Sequence, residues 1–152
     1  MIRFLILLIA SFVSQSFAQT SFKKVLFLGN SITKHGPKAD IDWSGNWGMA
    51  ASAAAKDYVH LVVDAVAKQR GTKPEFLVAN VADLERNYAT FDAAAKLMTE
   101  LAFKADTVVL AIGENVPALK TPEAKTQFKE AMMKLLTLLK RDGQATLYVR
   151  SC

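Results

Sequence analysis

Two side chains with usable chemistry stand just past apolar runs that end in glycine. In Lys24-Val25-Leu26-Phe27-Leu28-Gly29-Asn30-Ser31-Ile32-Thr33, an apolar strand breaks at Gly29-Asn30 and delivers Ser31 at its carboxyl end. About 80 residues later a second apolar run, 107–112, ends in Gly113-Glu114-Asn115. An open α/β sheet places its ligands and its chemistry at the carboxyl ends of its strands. A hydroxyl on one such end and a side-chain amide on another read as nucleophile and oxyanion donor. Asn after Gly is also common turn chemistry, so it is the Ser31 segment that gives Asn115 its functional reading.

A serine hydroxyl is a weak nucleophile until an adjacent base takes its proton, and that base is usually histidine. The chain offers only His35 and His60. His35 falls in a polar loop four residues after Ser31, and His60 on a periodic helix, so both read as structural residues. The expectation is a base that is missing rather than relocated.

Gly29-Asn30-Ser31-Ile32-Thr33 resembles the first signature block of the SGNH/GDSL hydrolases, a family of serine esterases and lipases, and Gly113-Glu114-Asn115 resembles their third block. The likeness spans roughly residues 23–152. It implies a flavodoxin-like three-layer α/β/α sandwich with a parallel sheet, and Ser31 attacking a carboxylic ester. It also implies an oxyanion hole built from the serine's own N–H, a second backbone N–H and the Asn115 amide. Two positions depart from the family's pattern: Asn30 stands where the first block has Asp, and Val116 where the third block often has Asp. The second block usually supplies a glycine after strand two, whereas this chain reads Asn80-Val81-Ala82-Asp83-Leu84-Glu85-Arg86. By register Glu85 would donate through its main chain, since an N–H does not require glycine. Asp83, Glu85 and Arg86 otherwise read as capping charges and a surface pair. Glu114 matches a variable place in the third block and is left out of the mechanism. The family's acid and base lie in an Asp-x-x-His block after a fifth strand. The chain ends at Cys152, after its fourth strand, so the expectation is an incomplete domain with that last strand missing.

The elements that must position these groups follow from the hydropathy pattern. Apolar runs alternate with amphipathic stretches, as in βαβ units with a parallel sheet. Strands are expected at residues 24–28, 75–80, 107–112 and 145–149. Tyr58, Leu61, Val62, Ala65 and Val66 recur at helical spacing, predicting a helix over residues 56–69 closed by Gly71. Phe91, Ala94, Ala95, Leu97 and Met98 predict a second helix capped by Thr90. Thr121-Pro122-Glu123 opens a third that ends before Asp142-Gly143. No repeat or low-complexity linker interrupts the run. The one long connection, 33–49, follows Ser31 directly and reads as the wall of a site. Within it Trp43 and Trp47 form either an aromatic wall for an acyl or sugar group or the packing of the loop onto the body.

The chain has 152 residues, 51% apolar and 22% charged, the range of one small globular domain. Its start reads as a secretory signal peptide over residues 1–18: Arg3, the apolar stretch 4–13, then Ser16-Phe17-Ala18 as a cleavage site. That stretch is shorter than the roughly 20 residues of a membrane-spanning helix. The mature domain, 19–152, is expected in the periplasm or secreted, without stable membrane insertion. The formal charge of +5 falls to +4 without Arg3, and its lysines are spread along the chain, which argues against a nucleic-acid stripe. Two separated histidines and a terminal cysteine do not make a zinc site, and neither Gly-rich phosphate motif is present, so no cofactor or metal is expected. Cys152 reads either as a small buried residue or as a thiol whose partner lies further on. The function expected is an exported serine hydrolase acting on a small-molecule or carbohydrate ester through an acyl-enzyme, with little activity in this chain. The alternative is a non-catalytic glycan- or acyl-binding module on the same scaffold.

Overall fold

The computed structural model describes residues 21–141 and 143–150; the signal-peptide reading of residues 1–18 and Cys152 lie outside the described residues. Four parallel strands form one open sheet: β1 (Lys24–Gly29), β2 (Glu75–Asn80), β3 (Thr107–Ala111) and β4 (Thr146–Val149). All four fall where the hydropathy places them, with ends shifted by one residue at most. Their order is β2-β1-β3-β4, the first four positions of the flavodoxin-like doubly wound sheet.

That order explains the layers. The chain moves from β1 to β2 in one direction, then crosses back over β1 to β3 and continues to β4. Crossovers between parallel strands are right-handed, so reversing direction puts the first connecting helix on one face and the later helices on the other. Accordingly α1 (Tyr58–Arg70) packs through Val59 and Val63 against Val25 and Phe27. The opposite side of β1 and β3, Leu26, Leu28, Val108 and Leu110, meets Leu84, Leu97, Leu135 and Leu139. These come from α2 (Ala82–Arg86), the joint between α3 (Ala93–Lys96) and α4 (Met98–Ala102), and α5 (Pro122–Lys140). The alternation of Val25-Leu26-Phe27-Leu28 between two cores is the two-residue period of a strand buried on both faces.

Local chemistry sets the helix ends. Thr121 caps α5 as expected, its hydroxyl accepting from the Ala124 N–H at 3.2 Å with Pro122 at the first helical position. Gly71 closes α1. The start of α1 differs from the expectation of residue 56. Asp57 is the cap, its Oδ1 accepting from the His60 N–H at 2.8 Å, and residues 54–56 form a separate 3-10 turn. The single helix predicted around 91–98 is two short pieces, and its cap is Asp92 rather than Thr90. Asp92 Oδ1 accepts from the N–H groups of Ala94 and Ala95, while Thr90 bonds back to the Asn87 carbonyl. A carboxylate that reaches two free N–H groups outcompetes a hydroxyl placed two residues too early. Among the described residues no helix is long and apolar enough to cross a membrane.

Phe27 anchors the α1 face: it is fully buried and meets Tyr58 and Phe76 edge to face at 6.2 and 6.4 Å. Phe27→Ala is expected to cost about 3–5 kcal/mol of unfolding free energy, the range for a large aromatic removed from a core, read from urea unfolding monitored by circular dichroism.

Candidate functional site

Ser31 and Asn115 end up on neighbouring strand ends. Gly29 at the end of β1 pairs with Ala111 at the end of β3, so the two turns leave the sheet side by side. This is where the chain reverses its direction of travel across the sheet, the crevice in which doubly wound folds bind ligands. The turn after β1 is tight: the N–H groups of Thr33 and Lys34 both bond the Asn30 carbonyl at 3.0 Å. A Cβ at Gly29 would stand 1.8 Å from Thr33 Oγ1 and 2.7 Å from the Ala111 carbonyl oxygen. Only glycine lets the turn fold back so closely onto the end of β3. Gly113 opens the other turn with φ 139°.

The two turns are joined through a buried carboxylate that the sequence does not advertise. Glu85 has 0% of its surface exposed, which overturns its reading as half of a surface pair. It lies inside α2, and the part of it that meets the Asn115 turn is the side chain. Oε2 accepts from Asn115 Nδ2 at 2.7 Å. Oε1 accepts from the N–H groups of Gly113 at 2.5 Å and Asn115 at 3.3 Å, and from Asn30 Nδ2 at 3.3 Å. Burial pushes the Glu85 carboxyl upward, but the Asn115 amide, the Gly113 and Asn115 N–H groups and the Asn30 amide together hold it below its ordinary value of 4.5.

Asn30 links both turns. Its Oδ1 accepts from the Ile32 N–H at 3.0 Å, fixing the Ser31 turn. Its Nδ2 donates to Glu85 and, at 2.7 Å, to Glu114 Oε2. Glu114, left out of the mechanism on sequence grounds, also pairs with Arg150 just past β4. An amide at position 30 can donate to two carboxylates, and a carboxylate there could not.

Ser31 itself is half-buried, and its carbonyl accepts from the Met49 N–H at 2.9 Å. Among the described residues neither its hydroxyl nor its N–H has a hydrogen-bond partner. Neither histidine reaches it. His35 Nδ1 bonds the Gly36 carbonyl at 2.6 Å and His60 Nδ1 bonds Asp57 Oδ1 at 2.7 Å.

The long connection after Ser31 folds into a compact flap held by the bridges His35–Trp47 and Lys38–Trp43. The two indoles meet edge to face at 5.4 Å, and each donates to a backbone carbonyl, Trp43 to His35 and Trp47 to Ala51, both at 3.1 Å. Trp43 therefore packs the loop on itself, while Trp47 also lines a cavity of about 290 Å³. A second cavity, about 420 Å³, adjoins the Ser31 turn at Ile32 and is bounded by Ala51, Tyr58, Leu61, Lys56 and Arg150. Burial pushes the Tyr58 phenol above 10.0 against its 2.8 Å bond with Thr33 Oγ1 and the field of Arg150. A larger cavity of about 680 Å³ between Phe91 and Met133 is lined by none of Ser31, Glu85 and Asn115.

Two outcomes test this network. Asn30→Asp is expected to lower stability at neutral pH by about 1–3 kcal/mol, because it removes two donors and faces a third carboxylate toward Glu85 and Glu114; chemical denaturation at pH 7 measures it. Glu85 has a folded value below its unfolded one, so its contribution is complete above about pH 4.5 and is lost as pH falls through the folded value. Glu85→Gln is therefore less stable than the parent at pH 7, and the gap narrows in unfolding curves taken below pH 4.5. Comparison with models of known protein families, with curated protein sequences and with solved structures finds no match for this chain.

Proposed function

We propose that this chain carries the nucleophile and oxyanion half of a serine esterase site, with Ser31 attacking a carboxylic ester and Asn115 stabilising the developing oxyanion. The observation that supports it most is the placement of the Ser31 hydroxyl, unpartnered among the described residues, and the Asn115 amide on adjacent strand ends at the switch point of the sheet. Ser31 Oγ would bond to the ester carbonyl carbon and give up its proton, the bond from that carbon to the alkoxy oxygen would break, and the alcohol would leave carrying that proton. The Ser31 N–H and the second hydrogen of Asn115 Nδ2 are the donors for the oxyanion. Glu85 acts through its carboxylate: it holds one hydrogen of the Asn115 amide and thereby fixes where the other points. The cavity beside Ile32, with Ala51 and Leu61 on its walls, suits a short acyl or sugar-borne ester group.

A binding module on the same scaffold is the second reading, and the position of both imidazoles favours it. Neither histidine is bonded to Ser31, and among the described residues no other base is hydrogen-bonded to its hydroxyl. Turnover of p-nitrophenyl acetate is therefore expected about a thousandfold below that of a complete triad enzyme. A fluorophosphonate is expected to label Ser31 slowly, with the label abolished by Ser31→Ala and slowed about a hundredfold by Asn115→Ala. Absence of labelling alongside saturable glycan or acyl binding would establish the binding reading instead.

A further inference from the structure

The cavity of about 290 Å³ under Trp47 lies beside the Ser31 turn without including Ser31, and the groups that line it are those of a recognition site. Among them is a histidine oriented by a buried acid. Asp57 is 3% exposed, its Oδ1 accepts from His60 Nδ1 at 2.7 Å, and its Oδ2 accepts from the Gly48 N–H at 3.2 Å. With Nδ1 committed to Asp57, the ring nitrogen left for a ligand is Nε2. The His60 ring is held edge to face on Phe76 at 6.0 Å. Lys34 also lines the cavity, and its Nζ has one neutral neighbour, the Val78 carbonyl at 3.4 Å, with no carboxylate within ion-pair distance among the described residues. Trp47, Val59, Phe76, Leu77 and Val78 supply apolar or aromatic wall, and Thr33 and Asn46 add two polar side chains.

We infer that this cavity binds a small planar carboxylic acid, its carboxylate held between Lys34 Nζ and His60 Nε2 and its apolar body between Trp47 and Phe76. The charges balance. Lys34 supplies the cation that pairs with the ligand's carboxylate, and Nε2 is the ring nitrogen that Asp57 leaves available to the same group. Charge-assisted bonds of this kind are the strong ones in a partly dry cavity. The volume is at the small end of ligand sites, which limits the occupant to about one ring.

Benzoate is the probe. Titrated into the full chain and followed by NMR, it is expected to move the Trp47 indole N–H and the His60 ring resonances along one saturating curve. Benzamide, the same shape without charge, is expected to bind at least about tenfold more weakly. Lys34→Met, a change on a half-buried loop residue, is expected to weaken benzoate about tenfold, and Ser31→Ala to leave it unchanged, which separates this site from the esterase reading. Lack of saturation with benzoate, equal binding of benzamide, or unchanged affinity in Lys34→Met would each overturn the inference.

Discussion

The Glu85 carboxylate is the interaction on which the rest of the site depends. A buried carboxylate is costly unless its oxygens are satisfied, and here two main-chain N–H groups and two side-chain amides converge on it. Those four donors come from both turns that leave the sheet at its carboxyl edge. The carboxylate can stay ionised inside the protein only while both turns keep their shapes. It therefore ties α2 to the ends of β1 and β3 more tightly than apolar packing would, because hydrogen bonds fix direction as well as distance. The orientation of Asn115 follows from that constraint, and the pairing of Asn30 with two carboxylates follows in turn.

The sheet supplies the other half of the arrangement. With order β2-β1-β3-β4, strands adjacent in space are not adjacent in sequence at the centre, and their outgoing loops diverge to opposite faces. A crevice opens where they part. Gly29 keeps that crevice narrow by allowing the Ser31 turn to sit against the Ala111 carbonyl. The α1 face repeats the theme with Asp57. One carboxylate caps α1, orients His60 and holds the Gly48 N–H, so the flap after Ser31 is fastened to the helix beneath it. Asp57 borders both the cavity beside Ile32 and the one under Trp47, which makes it the wall between the esterase reading and the proposed acid site.

What the sequence determined by itself was the set of features governed by short-range pattern. The four strands, the α/β class, the Thr121 cap and the closure of α1 at Gly71 were legible because alternation, helical spacing and turn chemistry act over a few residues. Ser31 and Asn115 were legible as candidates for the same reason, each following a glycine at the end of an apolar run. Whether a charged residue points outward or inward is decided by contacts tens of residues away. Asp83-Leu84-Glu85-Arg86 has the composition of a solvated helical turn, and nothing within it says that Glu85 will meet Asn30, 55 positions earlier, and Asn115, 30 positions later. The sequence signal that existed was an unexplained pair of asparagines and two glutamates around the strand ends, which becomes a network only when β1 and β3 lie side by side. The cap misread at Thr90 and the α1 start expected at residue 56 have the same origin, since local propensity allowed either position and the packed geometry chose. Tertiary structure alone decided which polar groups are buried together, because the cost of burying a charge is set by its partners, and strand order selects those partners.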